Sequence, residues 1–246
     1  MEEKNTQGGF WETTKTVVYA VLIALFIRTV FAEPFSIPSG SMVPTLLVGD
    51  YLFVSKMSYG YSRHSLPLSM PLIKDRIFYT QPERGDVIVF KMPSDNKTDY
   101  IKRLIGLPGD KIQMKDGRLY INGTIVDRKS EGEYVLRDAS GKALRFEKYT
   151  ETLPNGKQHP ILEASDEGTY DNTEEFTVPE DHFFMMGDNR DNSLDSRSLK
   201  VGFVPKNNLV GRAKFLFFSH DDSAAWWQVW KWPMAVRWSR LFSGIK

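Results

Sequence analysis

An apolar run near the N-terminus, from Thr16 to Ala32, contains a single charged side chain, Arg28. Together with Thr13 and Thr14 it reaches about 20 residues, the length that an α-helix needs to cross the hydrocarbon of a bilayer. Arg28 lies one turn from the end of the run, where its long side chain can reach the membrane surface. We therefore predict a polar N-terminal segment over residues 1–12 and a transmembrane anchor over residues 13–32.

The orientation of this anchor follows from the distribution of basic residues around it. Lys4 and Lys15 lie on the N-terminal side of the apolar run that begins at Thr16, and no lysine or arginine follows Arg28 until Lys56. The positive-inside rule then predicts a single-pass protein with its N-terminus in the cytoplasm and the remainder outside. A cleavable signal peptide is the alternative, because the last residues of the run resemble a cleavage site. The internal charge and the weakly positive start favour the anchor.

The composition excludes several classes of function. The 246 residues can form one large domain or two small ones, and the formal net charge of +1 provides no field that would attract nucleic acid. The chain has no cysteine. Disulfides, thiolate zinc sites and a cysteine nucleophile are therefore excluded, and catalysis would have to use other residue types.

A loop that follows the anchor, residues 37–45 with the sequence IPSGSMVPT, is too rich in proline, glycine and serine for a helix interior or a central strand. Pro38 and Pro44 fix φ near its two ends, and Gly40 permits a sharp reversal between two serines. Such a loop can hold Ser41 at a fixed angle beside exposed backbone N–H groups, as a nucleophile with an oxyanion site requires. Taken alone, the stretch is better explained as a linker that leaves a membrane helix.

Beyond this loop the pattern is that of an antiparallel β protein. Short β-rich runs are bounded by turn residues, and Asp116-Gly117 and Asn122-Gly123 are typical of tight hairpin turns. The predicted strands fall within residues 50–56, 87–90, 100–106, 111–126, 176–186, 202–205 and 209–218. The sequence thus predicts a mainly β fold.

Three segments leave alternatives open. Residues 57–82 are irregular and apolar, which fits either a hairpin on a membrane surface or a loop packed on its own domain. Residues 127–175 are strongly polar and predict an inserted, exposed β subdomain or an ordered loop. Residues 224–242 contain five tryptophans among basic residues, which fits an interfacial segment or a tail packed on the β domain.

Lys102 lies in an apolar, β-branched segment that is closed by a Gly/Pro turn at residues 106–109. In a strand, Tyr100, Lys102 and Leu104 share one face, whereas Ile101 and Arg103 share the other. We therefore expect one of the two basic residues to face the buried side. Burial would lower the pKa of Lys102 and allow it to act as a neutral base. The alternative is an exposed lysine on an edge strand, which discourages aggregation.

Residues 187–197, with the sequence GDNRDNSLDSR, combine turn formers with opposite charges directly after an apolar strand. They predict a tight loop held by Asx hydrogen bonds and ion pairs. A calcium loop is disfavoured because the Asp-x-Asp-x-Asp-Gly spacing is missing and Arg190 and Arg197 would repel the ion. His159 is isolated from other ligands and is expected at the surface, and His182 is expected in a polar turn. We predict no metal site.

Together these segments resemble the bacterial type I signal peptidases (leader peptidases), serine–lysine proteases that remove signal peptides from exported proteins. The resemblance covers the membrane helix and nearly all of residues 33–220. Its motifs, in chain order, are Ser39-Gly40-Ser41-Met42-x-Pro44-Thr45, then Tyr100-Ile101-Lys102-Arg103 with Gly106-x-Pro108-Gly109-Asp110, then Gly187-Asp188-Asn189-x-x-Asn192-Ser193-x-Asp195-Ser196-Arg197.

This resemblance implies a role for each matching residue. Ser41 is the nucleophile and Lys102 the general base, while the Ser39 hydroxyl joins the Ser41 backbone N–H in an oxyanion hole. Ser193 orients the lysine. The supporting shell around the site consists of Asp188, Asp195, Arg197, Arg103 and Tyr100. No cofactor or metal is implied.

The resemblance also implies an architecture and a setting. The fold would be of the signal peptidase/repressor-protease type, with an antiparallel catalytic domain over 33–112 and 176–222. An inserted smaller β subdomain would cover 113–175, and the tryptophan-rich segment would cover 223–246. The partners would be exported preproteins with small residues at −3 and −1 and a phospholipid membrane, with no nucleic acid. The protein would lie in the bacterial inner membrane with its catalytic domain on the periplasmic side.

Two other classes remain as alternatives. A membrane-anchored β-rich binding or assembly factor would suit the anchor and the tryptophan-rich tail, but it leaves the serine and lysine segments unexplained. A self-cleaving repressor also uses serine and lysine, but here a membrane helix, and no helix-turn-helix, precedes the serine.

Overall fold

The computed structural model describes residues 6–137, 142–221, 223 and 227–245. A long N-terminal helix, α1 (Thr6–Val30), forms the predicted anchor. Within the described residues it is the one helix long and apolar enough to span a membrane, over Trp11–Val30, and none of that window is buried against the rest of the protein. A largely apolar helix that the rest of the protein leaves uncovered over most of its length is suited to contact with lipid.

The rest of the described chain is mainly β, as predicted, with one further short helix, α2 (Trp232–Ala235). The strands are β1 (Ala32–Ser36), β2 (Asp50–Ser55), β3 (Val87–Lys91), β4 (Asp99–Gly106), β5 (Lys111–Lys115), β6 (Arg118–Ile121), β7 (Thr124–Ile125), β8 (Asp127–Arg137), β9 (Ala143–Thr152), β10 (Gln158–Glu163), β11 (Phe176–Thr177), β12 (His182–Met186), β13 (Val204–Pro205) and β14 (Leu209–Ser219).

The main sheet is antiparallel and has the strand order β1-β2-β14-β3-β4-β12-β13. Its central strand β3 is buried on both faces, which explains the uninterrupted apolar run of that segment. Val87 and Val89 pack in one core cluster with Leu52, while Ile88 and Phe90 pack in another on the opposite face. This two-sided burial places β4, the neighbour of β3, in the middle of the molecule.

The two smaller sheets are built from the chain between β4 and β12. One has the order β11-β5-β6-β7, and the other is the antiparallel set β10-β9-β8. Asp116 and Gly117 have φ of 47° and 65°, and Asn122 and Gly123 have φ of 53° and 78°. These left-handed pairs are the backbone that a two-residue hairpin turn requires, so both predicted turns are confirmed.

The segment over residues 57–82 packs on its own domain at several points. The guanidinium of Arg76 is buried and donates hydrogen bonds to the carbonyls of Tyr59, Gly60 and Lys206. Leu72 and Phe78 in the same segment are exposed. The loop is therefore fixed at its base and presents apolar side chains to its surroundings.

The C-terminal tail packs on the main sheet while it leaves aromatic rings exposed. Ile245 N–H donates to the Lys214 carbonyl of β14, and Arg240 forms an ion pair with buried Asp50. Trp230 remains exposed, as do other tryptophans of the tail. The tail is thus attached to the β domain, and its exposed indoles are available to an interface.

Candidate active site

Ser41 lies in a short 3₁₀ turn, Gly40–Met42, on the connection between β1 and β2. The turn is anchored on the core because the side chains of Met42 and Leu46 are completely buried there. The Leu46 N–H donates to the Met42 carbonyl at 2.8 Å, and the Asn189 N–H donates to the Ser41 carbonyl at 3.1 Å. These contacts place the Ser41 hydroxyl at the edge of a groove, where it is largely shielded from water.

Lys102 lies on β4 opposite Ile88 of β3, and only 4% of it is exposed. Its Nζ lies 2.6 Å from the Ser41 Oγ, although 61 residues separate the two in sequence. Burial lowers the pKa of Lys102 to about 8, against the opposing effect of the Asp195 and Asp188 carboxylates. This geometry excludes an exposed edge-strand lysine and pairs a hydroxyl with an amine that is partly neutral near neutral pH.

Arg103 corrects the expectation that only one of the two basic residues on β4 is buried. It is 1% exposed, on the face opposite Lys102, because the loop after β12 covers that face. Its Nε donates to Asp188 Oδ1 at 2.8 Å and its terminal nitrogen donates to Oδ2 at 2.7 Å. Burial alone would raise the pKa of Asp188, but the bidentate guanidinium outweighs it and lowers the pKa.

The loop over residues 187–197 is held by a second buried ion pair, between Asp195 and Arg197. Arg197 Nε donates to Asp195 Oδ1, and the Gly187 N–H donates to Asp195 Oδ2 at 3.0 Å. A Cβ on Gly187 would lie 2.2 Å from the Ser193 Oγ and 2.6 Å from the Ser41 carbonyl oxygen. Glycine is therefore required for buried Ser193 to approach the nucleophile loop.

A groove of about 620 Å³ runs past the two reactive side chains. Ser39 and Tyr100 both line it, as does Ser193. The Ser39 hydroxyl lies 3.5 Å from the Ser41 Oγ, and the Lys102 Nζ lies 5.5 Å from the centre of the Tyr100 ring. The structure thus brings together every site residue that the resemblance implied.

Two groove residues, Tyr170 and Asp191, had no place in the sequence prediction. Asp191 Oδ2 accepts hydrogen bonds from the N–H groups of Ala164 and Ser165, which connects the loop of Ser193 to the segment after β10. Tyr170 belongs to that segment, and the Arg197 guanidinium lies over its ring. The polar region between β4 and β12 therefore supplies one wall of the groove, which its composition alone did not indicate.

His159 corrects the expectation of a surface residue. It lies on β10 and is 3% exposed, and neither ring nitrogen has a hydrogen-bond partner among the described residues. Its Nε2 lies 3.4 Å from a Glu151 oxygen and 4.0 Å from Asp188 Oδ1. Burial lowers the pKa of His159 to about 4, so the ring is neutral at ordinary pH. Nothing in the sequence indicated this burial, because it depends on the pairing of β10 with β9 and on the approach of Asp188 from the loop after β12.

Among the described residues, one group of carboxylates has the proximity that a metal ion needs, namely Glu163, Asp171 and Asp191. The Arg128 Nη1 lies 3.5 Å from the Glu163 Oε1, and burial raises the pKa of Glu163 to about 8. A protonated carboxyl beside a guanidinium is a weak ligand for a cation. The dyad of Ser41 and Lys102 lies outside this group.

Residues 10–218 match the family described as signal peptidase, peptidase S26. The signal peptidase I of Rickettsia typhi is 42% identical over an alignment 260 residues long, gaps included, that covers 95% of this chain and 96% of the relative. The signal peptidase I of Rickettsia massiliae is 41% identical over an alignment 268 residues long that covers 100% of this chain and 98% of the relative. The crystal structure of a signal peptidase I from Enterococcus faecalis V583 is 28% identical, with a TM-score of 0.31, and the match covers 54% of this chain and 97% of that one.

Proposed function

The chain belongs to the signal peptidase family, peptidase S26, and on that premise we propose which of its residues carry out the reaction. As a member it is a membrane-anchored serine endopeptidase that removes signal peptides from preproteins. The observation that supports our assignment most strongly is the 2.6 Å separation of the Lys102 Nζ and the Ser41 Oγ in a buried site. We assign Ser41 as the nucleophile and Lys102 as the general base.

The reaction begins with neutral Lys102 accepting the hydroxyl proton of Ser41 as its Oγ bonds to the scissile carbonyl carbon. The tetrahedral intermediate then breaks its C–N bond, and the Lys102 ammonium donates the proton to the leaving amine of the mature protein. Lys102, neutral again, takes a proton from a water molecule that attacks the acyl ester. The signal peptide leaves as a carboxylic acid and Ser41 recovers its proton, so one base serves both halves of the cycle.

The oxyanion that forms in each half needs donors that are already in place. We propose that the Ser39 hydroxyl and the Ser41 backbone N–H supply them. Ser39 has extended backbone, with φ −133° and ψ 154°, and its hydroxyl lies within reach of the nucleophile on the groove side. The hydrogen bond from a donor that the loop holds in place becomes stronger as the carbonyl oxygen becomes negative. It therefore lowers the activation barrier and leaves the affinity for the substrate nearly unchanged.

The groove also offers a backbone edge for the substrate. β12 pairs with β4 at Gly106, Leu104 and Arg103, so residues 99–102 of β4 are paired only with β3 in the described structure. An extended peptide can add to this open edge as another strand and present alternate side chains to the groove. We propose that the signal-peptide side of the substrate binds here, with its small residues at −3 and −1 directed into the groove.

The remaining site residues support the dyad without reacting. We propose that Ser193 orients the Lys102 amine and that Tyr100 covers it from the groove. The two buried ion pairs, Arg103 with Asp188 and Arg197 with Asp195, hold the loop after β12 against the nucleophile loop. Each pair neutralises itself, so it provides rigidity while adding little net charge next to the lysine.

The membrane orientation is part of the same proposal. The chain would span the bacterial inner membrane once, with its N-terminus in the cytoplasm and the groove on the periplasmic side, because Lys4 and Lys15 precede the apolar run that begins at Thr16. Anchoring places the groove near the apolar segment of a preprotein in the same bilayer, which raises the effective concentration of the scissile bond.

Cleavage of a purified exported precursor by the full chain in detergent tests this function. We expect the wild type to release the mature protein with a new N-terminus after a small residue, as N-terminal sequencing would show. Ser41→Ala should release none, since it removes the nucleophile and leaves Lys102 in place. A Ser41→Ala protein that processes the precursor at the wild-type rate would refute the assignment.

A further inference from the structure

The membrane helix joins the catalytic sheet with no flexible linker. α1 ends at Val30, and β1 begins at Ala32. The intervening Phe31 N–H continues the helix by donating to the Ile27 carbonyl at 2.9 Å, while its own carbonyl accepts the Lys56 N–H at 3.1 Å. The Tyr61 hydroxyl donates to the Val30 carbonyl at 2.8 Å. The backbone carbonyls of Val30 and Phe31 are therefore both hydrogen-bonded to the β domain.

Three charged side chains strengthen the corner. Glu33 of β1 accepts a hydrogen bond from Arg28 Nε of α1 at 2.8 Å and pairs with Lys56 Nζ, beyond the end of β2, at 2.9 Å. Lys56 is 4% exposed and also donates to the Ser65 carbonyl. Burial alone would raise the pKa of Glu33, but the two cations outweigh it and lower the pKa, so the carboxylate is charged at neutral pH.

The pairing of Arg28 with Glu33 is not needed to place an arginine at the end of a membrane helix. An arginine near the membrane surface can extend into water without any partner. Here Arg28 instead shares one carboxylate with a buried lysine from the sheet, so the triad connects the helix to the domain. The shared carboxylate constrains both the angle and the separation between α1 and the β domain, because moving either of them breaks a charge-assisted hydrogen bond.

The corner also adjoins the catalytic groove. A cavity of about 260 Å³ lies between α1 and the sheet, lined by Leu25 and Thr29 of the helix and by Phe35 of β1. Asp99, at the start of β4, lines both this cavity and the groove that contains Ser41 and Lys102. A substrate whose apolar segment lies beside α1 would therefore lie next to the groove that contains Ser41.

We propose that Arg28, Glu33 and Lys56 are specificity-determining residues that fix the number of substrate residues between the apolar segment of a signal peptide and the scissile bond. The inference rests on the proposed function. An extended chain advances about 3.3 Å per residue, and a shift of one residue turns every side chain to the other face. A fixed height of Ser41 above the membrane therefore selects one register, and a loose junction would admit several.

The test uses the full chain in phospholipid vesicles and a set of precursors with two Ala-x-Ala sites placed about four residues apart, roughly 13 Å of extended chain. Glu33→Gln removes the shared carboxylate, and a Gly-Ser-Gly-Ser insertion between Phe31 and Ala32 frees the domain. Mass spectrometry gives the ratio of products from the two sites. We expect the wild type to favour one site by about tenfold, and both variants to bring the ratio close to one.

Asp110→Asn is the matched control, because it breaks a pair with Arg84 of similar burial that lies away from the membrane helix. It should keep the wild-type ratio. A short peptide without an apolar segment should be cut by all these proteins within about twofold of the wild-type rate, since its binding does not involve the anchor. Cleavage of that peptide also shows that each variant has folded.

Either variant would overturn the proposal if it kept the wild-type site ratio: the insertion because the junction would not fix the register, and Glu33→Gln because the shared carboxylate would not. Loss of precursor cleavage by the insertion variant, with peptide cleavage retained, would support it, because the groove would then be intact but wrongly placed. If the wild type cuts neither the precursors nor the peptide, the proposed function fails and this inference fails with it.

Discussion

Lys102 is buried beside two carboxylates, yet burial still dominates its pKa. Each of these carboxylates is already engaged by a guanidinium, Asp188 by Arg103 and Asp195 by Arg197. An ion pair presents a dipole rather than a full charge, so its stabilisation of a nearby ammonium is reduced. The site therefore contains many charges and still favours a neutral amine.

The pH dependence of cleavage should respond to this balance. Asp195 raises the pKa of Lys102, so Asp195→Asn removes a stabiliser of the ammonium and leaves Arg197, which lowers the pKa. We expect the acidic limb of the rate profile, near pH 8 in the wild type, to move to lower pH. Asp181→Asn, at an exposed carboxylate away from the groove, should leave the limb in place. A shift to higher pH in Asp195→Asn would contradict the account.

Ser39 should affect the rate constant rather than binding. If its hydroxyl donates to the developing oxyanion, Ser39→Ala should lower kcat by roughly 10²–10³ and leave KM nearly unchanged. Ser39→Thr keeps a hydroxyl and should retain part of the activity. Steady-state kinetics on a short peptide give both constants, and a wild-type kcat in Ser39→Ala would show that this serine only forms the turn.

His159 should make the folded state sensitive to acid. Its folded pKa of about 4 lies below the usual value of about 6.5, so the unfolded chain takes up a proton first as the pH falls. Its contribution to the free energy of unfolding is complete above pH 6.5 and should be about 2 kcal/mol smaller at pH 5. His64 shifts in the same direction, so the comparison must be between the wild type and His159→Gln. Equal losses in both proteins at pH 5 would disprove the effect.

The sequence indicated the reactive residues better than their neighbours. Ser41 and Lys102 belong to motifs with a distinctive order, and the resemblance named each of them. His159 and Tyr170 carry no such signal, because what matters is their contact with residues that are distant in the chain. Alternation along β4 correctly separated Lys102 from Arg103 but could not show that a remote loop covers the second face.

At the scale of elements, the hairpins with Asp-Gly and Asn-Gly turns could be predicted from the sequence because those residues tolerate the left-handed backbone conformation. The strands β8 and β9 were harder to predict, since most of their residues are exposed and the apolar alternation is weak. β14 was predicted from its apolar residues, and its place between β2 and β3 was not, because strand order depends on contacts across the whole chain.

The C-terminal tail should stabilise the loop that carries Ser41. Arg240 donates to the carbonyl of Thr45 at 2.9 Å and pairs with Asp50, which is fully buried. Arg240→Ala removes the principal cation of a buried carboxylate and should lower the free energy of unfolding by about 2 kcal/mol, since Ser219 still donates to Asp50. Exposed Lys231 offers a control, and denaturant unfolding in detergent gives both values. Equal stability of the Arg240→Ala and Lys231→Ala proteins would contradict this role.

Glu163 should lower the stability of the protein as the pH rises from 4.5 to about 8. Its pKa is raised to about 8, above the unfolded value of about 4.5, so the folded state holds a proton that the unfolded state has lost. Stability from this group is present below pH 4.5 and is lost as the pH rises to 8. Glu163→Gln cannot ionise and should therefore gain stability relative to the wild type between pH 5 and 8, as thermal unfolding would show. A constant difference across that range would contradict the shift.

At the scale of the whole molecule, the membrane helix meets the β domain at a corner where Glu33 pairs with Arg28 of the helix and with Lys56 of the domain. The proposed topology places that domain outside the cytoplasm. Protease added to intact spheroplasts should digest the β domain, and only a short fragment that contains the helix should survive. Complete protection of the domain would rule out this orientation. Digestion of the domain only after the spheroplasts are lysed would place it in the cytoplasm instead.

The dyad is the central claim, and precursor cleavage by Lys102 variants tests it most directly. The full chain in detergent should cut a purified exported precursor at a rate that rises with pH through about 8 and is insensitive to a chelator. Lys102→Met keeps the apolar stem without the amine, and Lys102→Arg keeps a charge that cannot be removed at ordinary pH. Both should fold, as circular dichroism would show, and both should be inactive. Cleavage by Lys102→Arg near the wild-type rate would contradict the account.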